Sequence, residues 1–290
     1  ARQRAVDAEQ QQARLRFEAE VRQQITQAAL LISQERFAEA DTVLSEIALT
    51  QPTIEGAAVF RAAGEWHALN NRWREAADRF AMLVDVNHLD NLDTATMDYL
   101  ECGPALIGRG DLAAYDRFRD HAIRRFAGSA SAFTDRIIKI SLLMPASPRT
   151  LEALRPLADV TTKALAAADA GGDAFTAAWR SISLGLFEYR RGNYRGARDW
   201  ALRCLAYPDN NPPRAATAHL LLALATQQLG DSAAAAESLQ EARALVESRF
   251  KGTLEKGTPM QGFWFDWAFA RVLLREAITL IQPGVDPTAS

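Results

Sequence analysis

Apolar residues recur at helical spacing along nearly the whole chain, and short polar turns interrupt them at regular intervals. The period-two alternation that marks a strand is almost absent: there is no alternating Val/Ile/Thr/Tyr run and no Asn-Gly hairpin turn. Alanine, leucine, glutamate, glutamine and arginine fill the helical stretches, and all are strong helix formers. The organising unit is a short turn, then an apolar residue, then a small residue three positions on. It occurs as Glu35-Arg36-Phe37 with Ala40, Asn71-Arg72-Trp73 with Ala76 and Gly110-Asp111-Leu112 with Tyr115. It returns as Gly192-Asn193-Tyr194 with Ala197 and Gly230-Asp231-Ser232 with Ala235. The second turn residues stand at 36, 72, 111, 193 and 231, steps of 36, 39, 82 and 38 residues. The long step is about twice the others, so one turn is missing near its middle. Pro145-Ala146-Ser147-Pro148 sits there, between the apolar run Ile137 to Met144 and the helical stretch Leu151 to Ala168. The spacing therefore predicts helix pairs near 21–54, 57–90, 96–129, 132–170, 178–211 and 216–249.

A unit of this length cannot bury its apolar face alone and must stack on its neighbours, which makes a solenoid. The tetratricopeptide pattern of two helices in roughly 34 residues is the nearest repeat class. The expected fold is all-α, a right-handed α-α superhelix of about six such pairs with a C-terminal capping helix. Gly64, Gly103 and Gly185, late in first helices, let the second helix approach closely. The Gly or Asn of each turn supplies a left-handed C-cap. Phe37, Trp73 and Tyr194 plug the gap between neighbours, and the small residue lies where two helices cross. Ala76 with Phe80 four residues on follows the repeat pattern, while Tyr115 departs from it and predicts a wider third pair. Residues 1–20 are rich in Gln, Arg and Glu and read as a lead-in helix or coiled-coil stalk. Opening within a helical pattern at Ala1, the chain reads as a piece of a longer protein. Gly262-Phe263-Trp264-Phe265-Asp266-Trp267 opens a last helix, and 262–282 is expected to cap the final exposed interface.

Composition narrows the function. With 290 residues, 48% hydrophobic and 24% charged, the chain can build an ample core. The net charge of -3 is spread along it, which speaks against a nucleic-acid or membrane-surface partner. Lys139, Lys163, Lys251 and Lys256 are its only lysines, so the arginine and alanine bias points to a GC-rich genome. No apolar run reaches the roughly 20 residues that span a bilayer, and no signal peptide opens the chain. No membrane insertion is expected, and the compartment stays open between the cytoplasm and the outer side of a membrane. Cys102 and Cys204 are too few for a disulfide framework and read as buried thiols.

Catalytic patterns are missing from the sequence. Gly103 to Gly110 lacks the GK[ST] ending and the preceding strand of a phosphate loop. His67, His88, His121 and His219 are isolated, with no HExxH and no paired cysteines. No GxSxG elbow occurs. No cofactor, no metal and no catalytic residue is expected. The acidic group Asp85, Asn87, Asp90, Asn91, Asp93 and Asp98 lacks the alternate spacing, central glycine and closing glutamate of a calcium loop. It reads as a linker with Asp93 or Thr94 as the next N-cap.

In this repeat class the first helices line a concave groove through their second, fifth, ninth, twelfth and thirteenth positions. Here those are Arg61 and Glu65, then Met97, Leu100 and Glu101, then Trp179, Tyr189 and Arg190, and finally Thr217, Leu220 and Gln227. Aromatic anchors and both charge signs predict a protein or peptide partner. No lysine and arginine cluster is present to clamp a terminal carboxylate. Each position also has a plain structural reading: Trp179 and Leu220 pack on the adjacent helix, or Arg61 and Glu65 form an i,i+4 pair in solvent. With Trp73 inside and Arg61 outside, Trp73→Ala is expected to open a void, and Arg61→Ala to leave stability nearly unchanged.

With these motifs assembled, the sequence resembles the C-terminal tetratricopeptide region of large bacterial serine/threonine protein kinases. The resembling stretches are Arg61-Ala-Ala-Gly-Glu-Trp-His-Ala-Leu-Asn-Asn-Arg-Trp73, Asp98-Tyr-Leu-Glu-Cys-Gly-Pro-Ala-Leu106, Glu188-Tyr-Arg-Arg-Gly-Asn-Tyr194, Cys204-Leu-Ala-Tyr-Pro208 and Gly262-Phe-Trp-Phe-Asp-Trp267. The likeness covers most of residues 20–282. It implies a catalytic domain ahead of this region, often with a membrane span and a helical stalk between, and Ala1 to Val21 would end that stalk. The kinase glycine-rich loop, HRD and DFG motifs do not occur here, so no phosphoryl-transfer residue is carried over. The implied role is partner recognition or signal input to a kinase. The alternatives are a stand-alone tetratricopeptide scaffold and a small-ligand sensor whose pocket forms around Trp179 and Tyr189.

Overall fold

Five turns share one construction, and it sets where the helices stop. Glu35 and Asn71 take left-handed backbone at φ 60° and 58°, and Gly110, Gly192 and Gly230 at 85°, 84° and 89°. In each, the following N–H reaches back five residues to a helical carbonyl: Arg36 to Leu31, Arg72 to His67, Asp111 to Leu106, Asn193 to Glu188 and Asp231 to Thr226. This is the six-to-one bond of a Schellman ending. The residue that makes the bond then starts the next helix. Asp111, Asn193 and Asp231 accept with their side chains from the N–H groups of Ala114, Gly196 and Ala234. Arg36 and Arg72 hold the same place without a side-chain cap.

The computed structural model describes residues 2–47, 53–87, 90–208 and 211–285. Among them the order is α1 Arg2–Ser33, α2 Phe37–Ser45, α3 Ile54–Leu69, α4 Trp73–Val86, α5 Leu92–Arg109 and α6 Leu112–Phe126. A 3-10 turn at Ala132–Thr134 leads into α7 Asp135–Ser141, followed by α8 Pro148–Gly171, α9 Ala174–Arg190, α10 Tyr194–Ala206, α11 Pro212–Gln228 and α12 Ser232–Arg249. Two short strands, β1 Gly257–Thr258 and β2 Gly262–Phe263, pair antiparallel before α13 Trp264–Ile281. The described residues are all-α apart from that small hairpin, and within most pairs each helix packs on the next, in the manner of a helical solenoid in general. Residues 48–52 at the end of the first predicted pair, and His88 at the end of the second, lie outside the described residues.

Local boundaries differ from the sequence expectation in two places. Helix α1 is continuous through residue 20, so the lead-in stretch and the first helix of the first pair are one element. Its first buried side chain is Ile25, and Val6, Leu15 and Phe17 ahead of it are exposed. The N-cap of α5 is Asn91, whose side chain accepts from Thr94 N, rather than Asp93 or Thr94. The missing turn is at the predicted prolines. Ser147 caps α8 through Thr150 N, and Pro148 occupies its first position, where no N–H is needed.

The crossing positions are packed tight. Ala40, Ala76, Ala197 and Ala235 are fully buried. Tyr115 takes the same position with a larger ring and donates its hydroxyl to the Ile140 carbonyl at 2.7 Å. A Cβ on Gly64 would lie 2.7 Å from the Phe80 ring, and one on Gly185 2.5 Å from Leu221, so α3 and α9 approach their neighbours only as glycine allows. A Cβ on Gly103 would meet ordinary 3.5 Å contacts, so that position does not require glycine.

Helix α13 organises the interior. It covers α11 and α12 as a terminal helix would, and it also reaches α5. Trp264, at its start, stacks on Phe80 of α4 with centroids 5.7 Å apart and lies 6.3 Å from the ring of Trp73. Twelve of its 18 residues are buried, as expected of a helix that is apolar on most sides. The segment leading to it ties back to the second pair: Leu254 N–H donates to the Leu69 carbonyl at 3.0 Å, and Asn71 Nδ2 donates to the Gly252 carbonyl at 3.4 Å. Among the described residues no helix is long and apolar enough to cross a membrane.

Candidate functional site

A cleft of about 320 Å³ opens where α5, α7, α9 and the start of α13 converge. Met97 and Leu100 of α5 and Trp179 of α9 line it, so three residues predicted to face a groove come together here. Phe133 from the 3-10 turn, Phe175 from the start of α9, and Phe263 and Phe265 from the C-terminal hairpin and helix complete an aromatic wall. Phe263 and Phe265 stack on each other at 5.2 Å.

Six charged groups stand among these rings: Asp93, Asp135, Arg136, Lys139, Arg180 and Asp266. At the rim Arg136 Nη1 donates to Asp93 Oδ1 at 2.6 Å, with Asp93 half exposed. Deeper, Lys139 Nζ meets Asp266 Oδ1 at 3.3 Å, and both side chains are only 6% exposed. The same ammonium lies 4.0 Å from the centroid of Trp179, a cation–π contact in a dry setting. Burial pushes the Lys139 ammonium below its ordinary value, and Asp266 and Asp135 oppose that shift. Burial raises the Asp135 carboxyl, against the pull of Arg136, Lys139 and Arg180. Arg180 donates Nη1 to the Ala164 carbonyl at 2.8 Å, which fixes its guanidinium beside the cleft.

The other predicted groove residues are placed elsewhere. Arg61 grips the buried Asp98 with two bonds, Nε to Oδ1 at 2.5 Å and Nη2 to Oδ2 at 2.9 Å, and reaches Asp90 at 2.8 Å. Glu65 pairs with Lys256 of the returning segment at 2.9 Å, so Arg61 and Glu65 do not bond each other. Arg190 gives its donors to the carbonyls of Leu142 and Leu143 and to both oxygens of Glu276 in α13. Its side chain is a buried clamp between the end of α7 and α13. Tyr189 is buried against Tyr194 at 5.7 Å, outside the cleft. Thr217 and Leu220 are fully buried in α11, with the Thr217 hydroxyl on the Pro213 carbonyl, and Gln227 is half-buried near the end of that helix. The returning C-terminal segment takes up Glu65 through Lys256 and Arg190 through Glu276, and α13 packs on α11. The acidic linker serves the same end: Asp90 and Asp98 hold Arg61, Asn87 donates to Asp98, and Asp93 holds Arg136.

Glu101 sits beside this network with one oxygen buried and unbonded. Burial, then the nearby charges of Asp98 and Glu65, push its carboxyl well above the ordinary range. A carboxyl whose folded pKa is raised contributes stability below its unfolded pKa, and that contribution is lost as pH climbs through the folded value. Glu101→Gln is therefore expected to match the parent near pH 4 and to exceed it by on the order of 1 kcal/mol near pH 8. Urea midpoints of both proteins at the two pH values measure this; a constant difference would reject it.

Two signals in the sequence point at the cleft residues that the groove register misses. Lys139 is one of four lysines and stands alone inside the apolar run Ile137 to Met144, and Asp266 stands alone in an aromatic run. A lone charge in each of two apolar segments is what a buried ion pair requires. Asp135, Phe175 and Arg180 carry no such mark. Among the described residues no group of His, Cys, Asp and Glu could hold a metal ion, and Cys102 and Cys204 are buried and form no disulfide.

No protein family matches the chain, and no curated protein matches it. Among solved structures it is similar to BtubC (BKLC) from P. vanneervenii, at 14% identity and a TM-score of 0.44, over 82% of this chain and 95% of that one.

Proposed function

We propose that this chain is a non-catalytic recognition module, a right-handed superhelix of tetratricopeptide-like pairs that takes a protein or peptide partner and serves as the signal-input region of a bacterial serine/threonine protein kinase. The observation that supports recognition is the cleft between α5, α7, α9 and α13. It gathers Met97, Leu100 and Trp179 with further aromatic rings and a few fixed charges, the mixture of apolar wall and sparse polar groups that ligand sites share. The kinase context rests on the resemblance of the quoted stretches.

A peptide-display library panned on the purified chain tests the reading. The expected result is a set of sequences whose affinity falls at least about tenfold in Met97→Trp, which fills the cleft from one wall. Selected peptides that bind parent and variant equally would move recognition to another face. The cleft also favours a second reading, a small-ligand sensor, because among the described residues two of its buried charged groups, Asp135 and Arg180, form no ion pair.

A further inference from the structure

We infer that the cleft binds a small zwitterion, an α-amino acid with a large apolar side chain. This deepens the ligand-sensing reading and rests on the cleft being a recognition site.

The argument is one of charge pairing. Asp93 is matched by Arg136 and Asp266 by Lys139. Asp135 and Arg180 are left over. Each is 8% exposed, and among the described residues neither lies within ion-pair distance of an opposite charge. Arg180 has one bond, to the Ala164 carbonyl, and its Nε meets no acceptor. Asp135 accepts a hydrogen bond from the Arg136 backbone N–H and feels the charges of Arg136, Lys139 and Arg180, yet makes an ion pair with none of them. A buried charge without a counter-charge is costly. An apolar ligand would leave both in that state, and a simple cation or anion would leave one. A molecule with an ammonium and a carboxylate a few ångströms apart answers both. The aromatic wall then takes the side chain, as Phe133, Phe175 and Trp179 surround the space beside the two charges. A volume of about 320 Å³ has room for one amino acid with a large side chain.

L-Phenylalanine is the probe, compared by calorimetry with 3-phenylpropanoate, which lacks the ammonium, and 2-phenylethylamine, which lacks the carboxylate. The expected result is that L-phenylalanine binds the 290-residue chain at least about tenfold more tightly than either analogue. Asp135→Asn should weaken L-phenylalanine and 2-phenylethylamine and spare 3-phenylpropanoate; Arg180→Gln should weaken L-phenylalanine and 3-phenylpropanoate and spare the amine. Because both side chains are buried, Met97→Trp serves as a variant that leaves the two charges in place, and it should abolish binding of all three. An L-phenylalanine affinity no better than that of either analogue, or one unchanged in Met97→Trp, overturns the proposal. Cleft-dependent peptides without L-phenylalanine binding would sink the zwitterion and keep the recognition reading. L-Phenylalanine binding without such peptides would do the reverse for the peptide partner.

Discussion

Replacing Trp264 with alanine is expected to destabilise the chain by about 3–5 kcal/mol, the range for removing a large buried aromatic. The indole is among the largest fully buried side chains and touches three rings at once: Phe80, Trp73 and Phe265. Its neighbours on α4 and at the start of α13 are held by their own helices and cannot collapse into the space. Chemical denaturation of the purified variant measures the loss. A cost near 1 kcal/mol would mean that α13 repacks freely and that its docking on α4 is not structural.

Arg61→Ala is expected to cost about 3 kcal/mol, because it strands a carboxylate inside the protein. Asp98 is 1% exposed and holds two bonds from Arg61. Burial already raises its carboxyl, and the Arg61 bonds and charge are what counter that shift. Adding Asp98→Asn to Arg61→Ala should recover about half of the loss, since a neutral amide tolerates the site better. Urea denaturation of the single and double variants decides it. A single-variant loss within about 0.5 kcal/mol would return Arg61 to the solvent-facing role that its helical register suggested.

The turns were legible because each needs a left-handed residue and a cap, and both leave marks in the sequence. Gly110, Gly192 and Gly230 followed by Asp or Asn are such marks. The prolines at 145 and 148 were legible for the same local reason. Asn91 was missed as a cap because Asp93 and Thr94, two and three residues on, are equally good capping types. The cleft was legible only in part. Helical register puts Met97, Leu100 and Trp179 on one face, but the same register puts Arg190, Thr217 and Leu220 there. What separates the two sets is where the C-terminal segment lies, a long-range fact that no local pattern carries. Arg190, expected in the groove, meets Glu276 of α13.

That returning segment also bears on how the protein is made. Asn71 and Gly252, which bond in the finished fold, are 181 residues apart. Trp73 and Phe80 leave the ribosome long before Trp264 exists to cover them. Until residue 264 is made the second pair presents an open apolar face, and its covering waits on α13. Contacts between such distant parts of a chain form slowly, because a long loop must close before they contribute. A nascent chain halted before α13 would expose aromatic surface of the kind that chaperones hold and that drives aggregation.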